Sequence, residues 1–171
     1  MRRAPLLALI LGFGALAGLA GAARAENNEP PYLKLGQELG TPHLADSAGP
    51  KDKSRLLLHF VPDGEDATKW TKMTTVSILK VASDDTDVAT RGVIRDLRDA
   101  LKERHATIDV FDESPLPPVT CYFEFSAGDE VDRGVVYSPD AGFVTVAQFA
   151  LKNGQTMNPA DLKTIKSLIG Q

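Results

Sequence analysis

The chain has 171 residues, with 19 lysines and arginines against 23 aspartates and glutamates, which gives a formal net charge of −4. At 43% hydrophobic and 25% charged residues, the composition is that of a globular protein and excludes coiled-coil, collagenous and largely disordered classes. A single cysteine excludes an intramolecular disulfide and a multi-cysteine zinc site, and the length suits one domain.

The first 25 residues have the pattern of a cleaved signal peptide. A basic start at residues 1–3 precedes an uncharged run rich in Leu, Ala and Gly at residues 4–23, and the sequence Ala-Arg-Ala at residues 23–25 has the small-x-small form that signal peptidase recognises. A transmembrane anchor is the alternative, because the uncharged run is long enough to span a bilayer. The glycine-rich composition and the small residues at its end favour cleavage, and the lack of a nearby cysteine disfavours a lipid anchor.

Removal of the signal peptide leaves 16 basic against 23 acidic residues, a net charge of −7. An acidic exported protein is a poor candidate for binding nucleic acid or an anionic membrane surface. No later segment is apolar over a length that could span a bilayer. The mature protein is therefore predicted to be soluble and periplasmic or secreted, with no nucleic-acid partner and no membrane span.

Residues 26–53 are rich in Pro, Gly, Asp and Lys and are predicted to form a polar leader or linker, in which residues 31–39 could dock as a short turn. Residues 54–171 are predicted to form a single α+β domain. Its first strand, residues 56–61, is apolar on both faces, and its second, residues 73–81, is rich in Thr, Val and Ile.

A helix is predicted after the capping residues 83–87, because apolar residues then recur at helical spacing until the chain reaches His105. Gly92 lies in this helix, where glycine costs about 1 kcal/mol relative to alanine, and we interpret it as a close approach to the sheet. A third strand is predicted at residues 107–111. A fourth, at residues 119–125, alternates in polarity and places Cys121 on its core side.

Two further strands, at residues 134–137 and 143–151, are joined by a hairpin connection. The last helix begins at the N-cap Asn158, with Pro159 at its first helical position. The predicted order is β-β-α-β-β-β-β-α. Strands grouped in runs indicate an α+β fold with a mostly antiparallel sheet of about six strands, flanked by two main helices.

No catalytic, cofactor or metal site is predicted. His43, His59 and His105 lack zinc-ligand spacing, and no G-x-S-x-G, P-loop or G-x-G-x-x-G sequence occurs. We interpret His59 as a hydrogen-bonded strand histidine and His105 as a complement to the helix dipole. Cys121 is interpreted as a buried thiol. A nucleophilic pair between Cys121 and His59 or His105 is the less favoured alternative.

One stretch resembles a known family. Residues 62–65 (Pro-Asp-Gly-Glu) and 70–76 (Trp-Thr-Lys-Met-Thr-Thr-Val) are similar to small exported proteins of proteobacteria with the Mog1/PsbP-like fold. Residues 135–137 and 143–150, followed by a closing helix, fit the same pattern. The resemblance covers residues 55–171 and implies an antiparallel sheet flanked by helices. Members of the fold serve as assembly factors, chaperones or binding modules, mostly without known catalysis.

Three functional hypotheses follow. The first is an exported envelope protein that acts as a non-catalytic binding or assembly module for a protein partner, without a cofactor. The alternative is a periplasmic carrier of a small ligand, and the third is an enzyme built on Cys121 or His59. The candidate structural or interaction anchors are aromatic: Trp70, Tyr122, Tyr137 and Phe143. Trp70 is predicted to pack over the Gly64-Glu65 turn, where the second strand begins.

Overall fold

The structure, a computed structural model, describes residues 31–51, 54–81, 85–152 and 154–170. The predicted signal peptide, residues 1–25, lies outside the described residues. The helices and strands of the described residues are, in chain order, α1 (Pro31–Glu38), β1 (His43–Ala48), β2 (Arg55–Val61), β3 (Lys72–Lys80), α2 (Thr86–Glu103), β4 (Thr107–Glu113), β5 (Cys121–Ala127), β6 (Glu130–Tyr137), β7 (Phe143–Leu151) and α3 (Pro159–Ser167). None of the helices in these ranges is long and apolar enough to cross a membrane.

The seven strands form one sheet in the order β1-β2-β3-β7-β6-β5-β4, and every neighbouring pair is antiparallel. The central strand is β7, which pairs with β3 on one side and with β6 on the other. It thereby joins two meanders, β1-β2-β3 and β4-β5-β6, that are separated in sequence by α2. The α+β class and the antiparallel sheet are confirmed.

The predicted order of elements was wrong at its beginning, because α1 and β1 precede the first predicted strand. Both lie within residues 26–53, for which we predicted a polar leader. Leu35 of α1 and Leu39, which follows the helix, are both buried in the core. Thr41 is also buried, and its hydroxyl forms a 2.6 Å hydrogen bond with that of Thr74. The edge strand β1 is mostly exposed and is interrupted by a bulge. Edge strands depend on backbone pairing more than on apolar alternation, so the sequence pattern misses this one.

The helices cover the sheet from both sides. We call one side the α1/α3 face, where Ile165 of α3 packs with Phe60, Val76 and Phe149. We call the other side the α2 face, where Ile94 and Leu101 pack against the side chains of β5, which include Cys121, Phe123 and Phe125. The backbone of α2 runs closest to that of β4, β6 and β7, and the large side chains of β5 reach it from farther away. The α2 face of β2 and β3 is consequently left to form the wall of a groove.

The caps of both predicted helices are confirmed. Asp85 is the N-cap of α2 and accepts a 3.1 Å hydrogen bond from the backbone of Val88, and Asn158 caps α3 with its side chain. The close approach proposed for Gly92 was wrong, because a Cβ there would meet nothing within 4 Å. The close approach is at Gly134, where a Cβ would contact the ring of Phe123.

Candidate functional site

A groove of about 490 Å³ lies on the α2 face, between α2 and the strands β2, β3 and β7. Its sheet wall is largely apolar and includes Leu57, Leu79 and Val146, and its helix wall includes Leu97 and Ala100. The volume falls within the range of small-molecule sites in proteins, about 300–1,000 Å³. The groove exists because α2 lies over one half of the sheet and leaves the other half open along its flank.

A row of polar side chains crosses the α2 face at one end of the groove. Asp46 is paired with His59, His59 with Thr75, and Thr75 with Gln148, so the four lie side by side across β1, β2, β3 and β7. Directly paired residues in an antiparallel sheet point to the same face. Gln148 extends the row to β6, because its side-chain amide donates a 2.6 Å hydrogen bond to Oδ1 of Asp132. Gln148 is the member of this row that lines the groove, so the row reaches the groove through its side chain.

Asp132 is the most perturbed acid of this row. Its side chain is 1% exposed, and burial raises its pKa from the ordinary value to about 7. The hydrogen bond from Gln148 opposes this rise, Glu130 adds to it, and Arg133 and Lys152 oppose it. Glu130 lies on the same strand face, and burial also raises its pKa. A carboxyl group that titrates near neutral pH beside a cleft is typical of functional sites.

Four buried side-chain atoms have no hydrogen-bond partner among the described residues: Arg55 Nε, His59 Nε2, Trp70 Nε1 and Asp132 Oδ2. All four side chains lie on the α2 face. Buried polar groups in proteins are nearly always hydrogen-bonded, so these four are exceptions, and one of the four residues, Arg55, lines the groove. The interpretation of His59 as a fully hydrogen-bonded histidine was wrong.

The four predicted aromatic anchors do not come together. Trp70 lies on the α2 face, whereas Tyr122 and Tyr137 lie on the α1/α3 face. Phe143 begins β7 and is 40% exposed. The hydroxyl of Tyr122 donates a 2.6 Å hydrogen bond to Glu124, and burial, followed by this hydrogen bond, raises the pKa of Tyr122. Tyr122 and Tyr137 thus belong to the packing beneath α3 and do not line the groove.

Trp70 is 5% exposed and packs on the sheet against Val61, Met73 and Ala150. The ammonium group of Lys152 lies 3.8 Å from the centre of its ring. The adjoining turn is held by the next residue, since the backbone and hydroxyl of Thr71 both donate to the carboxylate of Glu65. Trp70 thus contacts the sheet, and Thr71 makes the link to the turn.

The structure keeps Cys121 and His59 apart. Cys121 is buried beneath α2 on β5, and burial raises the pKa of its thiol to about 12. His59 is on β2, and four strand spacings of about 4.8 Å place the two residues roughly 19 Å apart across the sheet. His105 follows the C-terminal end of α2 in a left-handed conformation with φ 57°. Within the described ranges, no group of three or more His, Cys, Asp or Glu side chains could hold a metal ion.

Sequence reasoning did not find Asp132, Gln148 or Arg55. The signal for Asp132 was present, because it alternates in phase with Gly134 and Val136, but we predicted that strand to begin at Gly134. Gln148 is likewise in phase with Val146 and Ala150 on β7. A polar residue in an inward-facing position of a strand is the pattern that would have indicated both.

Comparison of the chain with protein-family models, curated proteins and solved structures found no match. The resemblance to proteins of the Mog1/PsbP-like fold, carried by residues 62–65 and 70–76, stays a prediction. The function is therefore argued from the groove itself.

Proposed function

We propose that the chain is an exported, non-catalytic binding module that holds a small amphipathic ligand in the groove between α2 and the sheet. The observation that carries the proposal is the groove's composition: apolar walls from Leu57, Leu79, Leu97 and Val146, with polar groups confined to a few positions. Ligand sites in proteins have this character, because apolar surface supplies affinity and a few polar groups fix orientation. Of the hypotheses raised by the sequence, the small-ligand carrier is the one this geometry favours.

Binding also explains the groove better than catalysis does. Burial raises the pKa of Asp132 to about 7, but its Oδ1 accepts a hydrogen bond from the neutral amide of Gln148. The thiol of Cys121 is buried beneath α2, and its raised pKa keeps it protonated at neutral pH.

The test is a groove-filling variant with a matched control. Ala100 is exposed on α2 and lines the groove, so Ala100→Trp places an indole in the cavity without replacing a core residue. Asp99→Trp adds the same side chain at the neighbouring exposed position, which does not line the groove. With Nile red as a neutral apolar probe, we expect Ala100→Trp to weaken binding at least tenfold and Asp99→Trp to leave it within twofold of wild type. Equal binding by all three proteins would refute the proposal.

A protein partner is the second candidate, supported by a different surface. Leu116 is 71% exposed in the loop between β4 and β5, and Val88 is 61% exposed in the first turn of α2. The loop and the helix are tied together, because Asp87 accepts a 2.8 Å hydrogen bond from Val119 and Arg91 donates one to the carbonyl of Pro115. A pull-down from envelope extract should recover a stoichiometric partner with wild type and lose it with Val88→Ser/Leu116→Ser. Equal recovery would exclude this surface.

A further inference from the structure

Arg55, the first residue of β2, lacks the close partners that four of the other five described arginines have, and the fifth, Arg104, interacts electrostatically with Glu130 and Asp132. Arg91, Arg95 and Arg133 each pair with a carboxylate, at 2.6, 3.3 and 2.6 Å respectively. Arg98 lies over the ring of Phe111. Arg55 has no carboxylate within 4.0 Å among the described residues, and its Nε is buried without a hydrogen-bond acceptor. A guanidinium group that is partly removed from water and left unpaired is unfavourable, so an anion supplied from outside would stabilise it.

The position of Arg55 shows where such an anion would bind. Its side chain lines the groove beside Leu57 and Leu79, with which it shares the α2 face of β2 and β3. An anion bound there would sit at the margin of an apolar surface. A ligand that satisfies both features carries a charged head and an apolar body.

The other charged groups of the groove do not cancel Arg55. Arg104 also lines the groove, but Glu130 and Asp132 act on it electrostatically and offset its charge. Asp96 and Glu103 are exposed on α2, and Asp96 already pairs with Arg95. Burial lowers the pKa of Arg55, and no carboxylate of the described ranges opposes that effect. Its guanidinium remains charged across the physiological range and is suited to bidentate binding of carboxylate or phosphate.

We propose that the groove's ligand is an amphipathic anion, with a carboxylate or phosphate head bound by Arg55 and an apolar chain lying along Leu57, Leu79 and Val146. This inference rests on the proposed function, because it names the class of ligand for the same groove. The head group forms charge-assisted hydrogen bonds with the guanidinium, and the apolar chain covers the apolar wall and removes it from water.

The test compares ligands that share one chain and differ in the head. Isothermal titration calorimetry with dodecanoate, dodecyl phosphate, dodecanol and dodecylammonium, each below its critical micelle concentration, measures how much the head group and the chain each contribute to affinity. We expect wild type to bind at least one of the two anions at least tenfold more tightly than dodecanol, and dodecylammonium no more tightly than dodecanol. The anion bound more tightly identifies a carboxylate or a phosphate as the preferred head.

Arg55→Met keeps an apolar stem and removes the charge. We expect it to weaken binding of the preferred anion at least tenfold and to leave dodecanol within twofold. The control Arg91→Met, at an arginine that pairs with Glu113 and does not line the groove, should change neither. Preference for an anion that survives in Arg55→Met, or equal binding of all four heads by wild type, would overturn the inference and leave the groove's binding role intact. No binding of any chain would instead refute the proposed function as well.

Wild type alone also provides a test that does not depend on the folding of Arg55→Met. Added NaCl screens an ion pair but not an apolar contact, so anion affinity should fall with salt while dodecanol affinity holds or rises. An anion affinity that is indifferent to salt would contradict a role for Arg55.

Discussion

The side-chain amide of Gln148 in β7 donates a 2.6 Å hydrogen bond to Oδ1 of Asp132 in β6, and both side chains are buried. The second oxygen of Asp132 has no hydrogen-bond partner among the described residues. A neutral amide cannot balance a buried carboxylate, so desolvation governs Asp132 and raises its pKa to about 7. Gln148 lines the groove, so it is the contact through which the buried Asp132 adjoins the groove.

Asp132→Asn should therefore change stability in a pH-dependent manner. The pKa of Asp132 is raised in the folded state, so its contribution to stability is fully present below its ordinary value near 3.8 and is lost as pH rises through about 7. The asparagine variant lacks this loss. We expect its free energy of unfolding relative to wild type to increase by about 2–3 kcal/mol between pH 5 and pH 8.

Urea unfolding at both pH values measures this difference. Glu130, Arg133 and Lys152 are present in both proteins, so the comparison isolates the ionisation of Asp132 in its surroundings. The exposed Asp99→Asn serves as the control and should show no such trend. If the free energies of unfolding of wild type and Asp132→Asn differ by the same amount at pH 5 and pH 8, the pKa of Asp132 is not raised by folding.

Trp70→Ala should destabilise the protein by about 3–5 kcal/mol, because it removes a buried large aromatic side chain from its contacts with Val61, Met73 and Ala150. The melting temperature should fall by well over 5 °C. Trp70→Phe keeps part of the packing and should lose less. A melting temperature of Trp70→Ala within about 2 °C of wild type would contradict a structural role and favour an interaction hot spot.

Gly134→Ala and Gly92→Ala should have opposite effects. A Cβ at Gly134 would lie 2.6 Å from the backbone oxygen of Ala147 and would contact the ring of Phe123, and backbone cannot easily move aside. We expect Gly134→Ala to lower the free energy of unfolding by about 1–3 kcal/mol. Gly92 lies within α2 with open space at its Cβ position, so alanine should stabilise by about 0.5–1 kcal/mol. Chemical denaturation of the two variants decides, and effects of the same sign would contradict the packing described.

The thiol of Cys121 should react slowly in the native protein. It is buried on β5 beneath α2, and its pKa is raised to about 12 by burial, which leaves almost no thiolate at pH 8. Labelling with a thiol reagent at pH 8 should proceed only on unfolding in denaturant. Rapid labelling of the folded protein would reopen the hypothesis of a reactive cysteine.

Much of the fold could be predicted from sequence, because strands buried on one or both faces and capped helices carry strong local signals. The caps at Asp85 and Asn158 lie where the prediction placed them. The helix α1 and the edge strand β1 could not be predicted with the same rules. Their stability comes from docking of Leu35 and from backbone pairing with β2, neither of which leaves a periodic pattern.

The site was less predictable than the fold. The polar row depends on register, since Thr75 and Gln148 are neighbours only because β3 pairs with the distant β7. The groove depends on where α2 lies over the sheet, which local propensity does not determine. The aromatic anchors were predicted because large side chains dominate packing energetics, yet none of the four lines the groove, whereas Arg55 does.

The central claim is that the ligand lies between α2 and the sheet, and mapping of backbone amide chemical shifts tests it most directly. On titration with dodecanoate and, separately, with dodecanol, we expect the largest changes at groove-lining positions, with Leu57, Ser77, Leu97 and Val146 among them. Changes confined to Val88 and Leu116, or to α3 on the opposite face, would contradict the claim.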